Sequence, residues 1–296
     1  MKKRFFGFLT SKKTICRFLE EHYGYTNVQP FTPHERFAAN MNTLYHAIDS
    51  TGRRVFIKAC RHPDMCENEY RMGLALWEQA PEHFAKPLAY HAGDPISFCS
   101  TEYVSGKDLG AIMGQEQSLT DEQRASVVED IYTIYQALVR ADVVHRDIVL
   151  KNLLYCNGKV VLIDCQLATK SKSTKPISFY DNIMKICLCR WRHPLSTRVL
   201  VWDDTLAIMS ILKKIGAAPA YQERFEMIMN EVRQAVGKHH YVYPYPGMDE
   251  LDSAIKTCRL KGKFHHQAKM RHRYRCILNI LEFLKTEHPS AKVKTV

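Results

Sequence analysis

Val144-His145-Arg146-Asp147-Ile148-Val149-Leu150-Lys151-Asn152-Leu153-Leu154, with the apolar run Val160–Ile163 that ends in Asp164, is the stretch on which the fold turns. An Asp and an Asn five residues apart on one loop bring a carboxylate and an amide oxygen close together. Asp164, at the end of a buried strand, adds a second carboxylate. Oxygen donors of this kind suit hard Mg²⁺. Phosphoryl transfer needs such a set: a carboxylate that orients the attacking hydroxyl and accepts its proton, and ligands for magnesium bridging the phosphates. The residue types therefore point to Asp147 as the catalytic carboxylate and to Asn152 and Asp164 as metal ligands.

Upstream, the sequence reads as strands. Residues 37–48 and Arg54–Cys60 are strand-like runs joined by Asp49-Ser50-Thr51-Gly52, a strong hairpin signal. A helix from about Met65 to Gln79 follows, then a loop around Pro81 and Pro87, then two short strands, the second at about 98–104. Ser105-Gly106-Lys107-Asp108 breaks the pattern and marks a hinge. Thr120 to Gln123 opens a helix with a capping box, and Val127, Val128, Ile131, Ile134, Tyr135 and Leu138 recur at helical spacing. After the strand before Asp164 and a basic loop from Thr169 to Lys175, the sequence is mostly helical. Strands first and helices second predict an α+β protein.

His145-Arg146-Asp147 with Asn152, and Leu162-Ile163-Asp164, resemble the catalytic loop and the metal-binding aspartate of protein kinases. The resemblance implies a two-lobed protein-kinase-like fold. Residues 31–104 would form a small β-rich, ATP-binding N-lobe and residues 105–296 a larger helical lobe for catalysis and the acceptor, with residues 1–30 a basic, amphipathic segment ahead of them. Val55-Phe56-Ile57-Lys58 resembles the strand that delivers a lysine to the ATP phosphates. Asn68-Glu69-Tyr70-Arg71 is similar to the helix whose glutamate pairs with that lysine. Glu69 is preferred to Glu67 because Met72, Leu74 and Leu76 then follow at the family's spacing. Thr101-Glu102-Tyr103-Val104 resembles the segment that meets adenine, which makes Glu102 and Tyr103 nucleotide contacts. Asp108 falls where an acidic residue often holds the ribose, with a helix cap as the equal alternative.

The departures narrow the resemblance. No glycine-rich loop precedes Lys58; Phe37-Ala38-Ala39-Asn40-Met41 takes its place. Asp164-Cys165-Gln166 stands for Asp-Phe-Gly, and nothing resembles Ala-Pro-Glu. Val149 occupies a position where serine/threonine kinases carry lysine, and Lys151 one where tyrosine kinases carry arginine. The order Ile163-Asp164-Cys165-Gln166-Leu167-Ala168, the basic linker Lys170–Lys175 and Tyr180-Asp181-Asn182-Ile183 is similar to that of the bacterial lipopolysaccharide core kinases, which phosphorylate a heptose of the inner core. This resemblance runs from about Arg36 to Leu212. It implies an enzyme that uses ATP and Mg²⁺ to phosphorylate a sugar hydroxyl of an anionic glycolipid. Asp181 is the preferred anchor for the catalytic loop, and Asp204 its rival. A compact protein kinase and a non-catalytic kinase-like scaffold are the alternatives.

Composition sets the frame. With 46% apolar and 25% charged residues the chain has an ordinary globular make-up. Phe5–Leu9 is too short for a secretion signal, and no apolar stretch reaches the roughly 18 residues a membrane span needs. The ten cysteines form no CxxC pair and no zinc-like spacing, as expected of thiols in a reducing cytoplasm. A net charge of +11 favours anionic partners. Basic stretches at Arg190–His193 and Lys269–Arg275 suit phosphate groups on the acceptor, with a solvated helix face as the alternative. Nucleic acid is disfavoured because no recognition module accompanies them, and no obligate protein partner is inferred. The segment Lys2–Leu19 reads first as an ordinary docking helix, with peripheral contact with the inner face of the cytoplasmic membrane as the alternative.

Overall fold

A computed structural model of the protein describes residues 12–31, 42–60, 63–114, 119–173 and 200–288. Helix α1 (Lys12–Tyr23) leads into strands β1 (Thr26–Phe31), β2 (Asn42–Ile48) and β3 (Arg54–Cys60). Helix α2 (Pro63–Trp77) separates these from β4 (Pro87–His91) and β5 (Ser97–Glu102). The five strands form one antiparallel sheet in the order β1-β2-β3-β5-β4. Asp49 closes the β2–β3 hairpin. Its Oδ1 accepts from the Thr51 and Arg53 N–H groups at 2.9 and 3.0 Å, and Gly52 supplies a φ of 83° that side chains resist.

The two-residue period of β3 decides where the chemistry goes. Val55, Ile57 and Ala59 are buried in a core shared with Ile15 and Leu19 of α1. Lys58 therefore points to the opposite face, toward α2.

The connection out of the sheet passes tightly over the next part of the chain. A Cβ on Gly106 would lie 2.7 Å from the Tyr155 carbonyl oxygen, so only glycine fits there. Beyond it come β6 (Lys107–Asp108), α3 (Leu109–Met113) and α4 (Asp121–Arg140). The Thr120–Gln123 capping box at the start of α4 is formed, a feature worth about 1 kcal/mol. Short strands β7 (Val143–Val144), β8 (Leu153–Cys156), β9 (Lys159–Leu162) and β10 (Thr169–Lys170) carry the central loops, in ladders β6-β8-β9 and β7-β10. Next come β11 (Val201–Trp202), α5 (Asp204–Ile215), α6 (Gln222–Gln234) and β12 (Tyr241–Val242), which pairs with β11. An antiparallel pair, α7 (Met248–Phe264) and α8 (Ala268–Thr286), ends the described chain.

The protein is thus α+β, with the antiparallel sheet first and helices after it. One core gathers α4, α5 and α6 around Val127, Ile131, Leu138, Ile208 and Ile228. A second joins the inner faces of α7 and α8 to Val144, Trp202 and Tyr241.

Some expectations need correction. β1 pairs with β2 and α1 packs in the core of the same sheet, so residues 12–31 are joined to the sheet rather than standing ahead of it as a separate segment. The cause is Val28, which packs with α1 in the core of the sheet. The strand expected from Phe37 is described only from Asn42, and Phe37–Met41 lies outside the described residues. The eight described cysteines are free thiols. Among the described residues, no helix is long and apolar enough to cross a membrane.

Candidate active site

Residues from three separate elements meet at one ammonium group. Lys58 Nζ, on β3, donates to Glu69 Oε2 on α2 at 2.8 Å and to Asp164 Oδ1 at the end of β9 at 2.7 Å. The Lys58 side chain is only 13% exposed. Burial pulls its ammonium down, but the carboxylates of Asp164 and Glu69 outweigh this and hold Lys58 charged above its usual range. Glu69 is pushed up by burial, with Lys58 opposing and Asp164 adding to the rise. One cation shared by two carboxylates in a buried place is stable only while all three stay together.

Asp164 reaches this position because its backbone leaves β9 in the left-handed region, φ 70° and ψ 59°. For a residue with a Cβ that conformation costs about 1–2 kcal/mol, and surrounding contacts must hold it. Ile163 N–H donates to Asn152 O at 2.9 Å, which ties the strand end to the preceding loop. Asn68 adds a second tie. Its Nδ2 donates to Gln166 O at 3.0 Å and Ala168 O at 2.8 Å, stitching α2 to the segment just after Asp164.

The loop carrying Asp147 is closed by its own asparagine. Asn152 Nδ2 donates to the Asp147 carbonyl oxygen at 2.9 Å and to Asp147 Oδ2 at 3.1 Å. The amide nitrogen is thereby committed to Asp147, and Oδ1 is the end of Asn152 that remains for a ligand. Beneath the loop, Asp204 accepts from both the His145 and Arg146 N–H groups, the latter at 3.0 Å. Burial raises the Asp204 carboxyl to about 7, against those two donors. Burial likewise lowers His145 to about 4, so its imidazole is neutral near pH 7, and its Nδ1 accepts from Asp147 N–H at 3.3 Å. Arg146, with φ 70°, lies between the rings of Trp202 and Tyr241, 5.0 Å from each centroid.

The structure therefore brings Lys58, Glu69 and Asp164 into direct contact and binds Asn152 to Asp147. The carboxylate under the loop is that of Asp204; Asp181 lies outside the described residues, as do Arg190–His193. Asp108 caps α3, with its Oδ1 accepting from Ala111 N–H at 2.8 Å. The Glu102 and Tyr103 N–H groups donate to Lys86 O and Arg54 O at 2.8 and 3.1 Å, and the Arg54 guanidinium sits 4.1 Å over the Tyr103 ring. The role of Asn68 escaped the sequence reading, which treated it as one letter of a helix. The signal present was a poor helix former inside an amphipathic helix, next to the glutamate that mattered.

Among the described residues, no cluster of three or more His, Cys, Asp or Glu side chains could enclose a metal. Asp164 and Asn152 Oδ1 instead offer two hard oxygen donors. That fits magnesium, which is commonly held by one or two protein oxygens plus phosphates and water. Comparison of the chain with protein-family models and with curated proteins returns no match.

Proposed function

We propose that the protein is an ATP-dependent kinase with the two-lobed protein-kinase-like fold, and that its acceptor is a sugar hydroxyl of an anionic glycolipid, a heptose of the lipopolysaccharide inner core. The observation that carries the reading is Lys58 Nζ bridging Glu69 and Asp164 beside the loop in which Asn152 grips Asp147. Structural ion pairs can join two elements. A buried cation shared by two acids on separate elements, one of them an aspartate held in the left-handed region, is better accounted for as a phosphate site.

In this reading ATP lies between the sheet and the helical part. Adenine meets the Glu102–Val104 segment. Because the N–H groups of Glu102 and Tyr103 are already engaged, recognition falls to carbonyls there and to Val104. Asp108 keeps Oδ2 for a ribose hydroxyl while Oδ1 caps α3. Lys58 holds phosphate oxygens, and Glu69 keeps its ammonium in place. Asn152 and Asp164 would hold Mg²⁺, which neutralises phosphate charge when bound. Asp147 orients the acceptor hydroxyl and takes its proton as the oxygen attacks the γ-phosphorus. The bond from phosphorus to the β–γ bridging oxygen breaks, and ADP leaves. The charge of +11 raises the local concentration of an anionic acceptor.

The test is ATP turnover with Mg²⁺, offering dephosphorylated lipopolysaccharide core and a generic protein as separate acceptors. Transfer to the glycolipid is expected, with a fall of about 10²–10⁴-fold in Asp147→Ala. Transfer to protein alone would make the chain a protein kinase. Nucleotide binding with no transfer to either acceptor would point to a scaffold.

A further inference from the structure

The last two helices present a surface that the catalytic reading does not use. From Ser253 to Leu281 the sequence has no Asp or Glu, but eight Lys or Arg and three His. On α7, Leu251, Ala254, Ile255, Cys258 and Gly262 face the core. Leu260 and Phe264 stand on the opposite side, one turn apart, and are 54% and 71% exposed. Singly exposed apolar residues are ordinary. Here two are stacked at i and i+4 on a predominantly cationic face, with exposed Lys256 and Lys263 beside them.

A groove of about 760 Å³ opens on the same hairpin. Met248, Ile255 and Leu260 give it an apolar lining, and Lys256, Arg259 and Lys285 supply cations. Its two acids are already matched, Asp252 by Lys285 and Glu282 by Arg259. These pairs also use Arg259 and Lys285, so the groove is apolar with a net positive charge carried by Lys256.

We propose that the α7–α8 hairpin docks this protein on an anionic lipid bilayer. Leu260 and Phe264 enter the boundary between headgroups and acyl chains, and the surrounding lysines lie at the level of the lipid phosphates with their stems along the apolar surface. Lys263 Nζ lies 5.2 Å from the Phe264 ring centroid, so the charge and the ring reach the interface together. Two other occupants fit less well. Nucleic acid would satisfy the cations but leave Leu260 and the groove uncovered. A second copy of the chain would set cations against cations.

The inner face of the hairpin shares its core with Val144, Trp202 and Tyr241, the residues around the catalytic loop. Docking would therefore hold that loop at a set position relative to the membrane. The proposal rests on the hairpin alone and does not depend on the kinase reading.

The test is co-sedimentation of the full chain with vesicles of phosphatidylcholine, alone or mixed with phosphatidylglycerol. Binding is expected to the mixed vesicles and to weaken with salt. Leu260→Ser/Phe264→Ser should weaken it by about tenfold or more. Lys256→Glu/Lys263→Glu should also weaken it, at about fivefold or more for each charge. All four positions are exposed, so both variants should keep the wild-type melting temperature. Equal binding to both vesicle types, no binding, or binding unchanged in the Leu260/Phe264 variant would overturn the proposal. So would tighter binding to single-stranded RNA that ignores Leu260 and Phe264. Lipid binding without phosphoryl transfer would uphold the docking surface and count against the kinase reading.

Discussion

In the loop from His145 to Asn152, Ile148 is buried in the core, but His145 and Arg146 are buried as well and polar, and specific contacts hold them. In the α7–α8 hairpin the buried groups are apolar and the charges stand outside. The loop carries the His145 imidazole and the guanidinium of a left-handed Arg146 in a place where water cannot solvate them. It holds its shape through specific bonds from Asp204 and Asn152 and through the two rings around Arg146. The hairpin needs no such precision. Leu251, Cys258, Ile277 and Leu281 make its seam, and ion pairs such as Arg259–Glu282 decorate the outside at 64% and 45% side-chain exposure. Buried polar bonds fix one geometry but fail badly when one partner is lost. An apolar seam tolerates change on its outer face and leaves that face free for another surface.

Three perturbations would break or sharpen this contrast. The largest effect is expected from Asp204→Ala, which leaves the buried N–H groups of His145 and Arg146 without their acceptor. A loss of about 3–5 kcal/mol in unfolding free energy should accompany the collapse of activity. Urea titration of the variant would measure it, and a loss under about 1 kcal/mol would mean that the loop does not depend on that carboxylate.

Next in size is a pH effect at His145, whose folded value is lowered from 6.5 to about 4. As pH falls through that window the unfolded chain takes up a proton that the folded chain refuses, so stability is lost. Asp204, raised to about 7, acts in the opposite sense: its folded form keeps a proton up to that pH, and its contribution declines as pH rises from about 4 to about 7. The two offset each other in the native protein. His145→Asn keeps an acceptor for the Asp147 N–H but removes the titrating ring. The stability of wild type relative to this variant should fall by about 3 kcal/mol between pH 7 and pH 4. A difference that stays constant with pH would show that His145 is not held neutral.

The smallest effect belongs to the hairpin. Arg259→Ala removes an exposed pair with Glu282 and should change stability by less than about 1 kcal/mol, within the reach of a melting curve. A larger loss would mean that the hairpin, like the loop, depends on its polar contacts.

The loop from His145 to Asn152 was legible because its parts are neighbours: Asp147 and Asn152 share one loop, and their spacing is itself the geometric constraint. Lys58 was legible only through the resemblance of Val55-Phe56-Ile57-Lys58 to a lysine-bearing strand, and the alternation of β3 in the structure sends Val55, Ile57 and Ala59 to one face and the lysine to the other. The choice between Asp181 and Asp204 was not legible. Each acid leads an apolar, helix-like run, and a sequence pattern cannot say which of two such helix starts lies beneath a given loop. Asn68 was missed for a related reason, since its partners are carbonyls 98 and 100 residues away. The assignment of residues 1–30 went astray because β1 is a short edge strand, TNVQPF, with only Val28 buried in it.

The sequence by itself determined the α+β order, the positions of the β3 lysine and the Asp–Asn loop, and the acid-free cationic stretch near the C-terminus. These follow from local periodicity, turn chemistry and charge, which neighbouring residues settle among themselves. Only the tertiary structure decided that Asp164 would join Glu69 at Lys58, that Asp204 would hold the loop, and that Leu260 and Phe264 would be left outside. Each of these depends on which surfaces pack together across long stretches of chain, and burial, which sets the strength of every charge and hydrogen bond involved, exists only after that packing is complete.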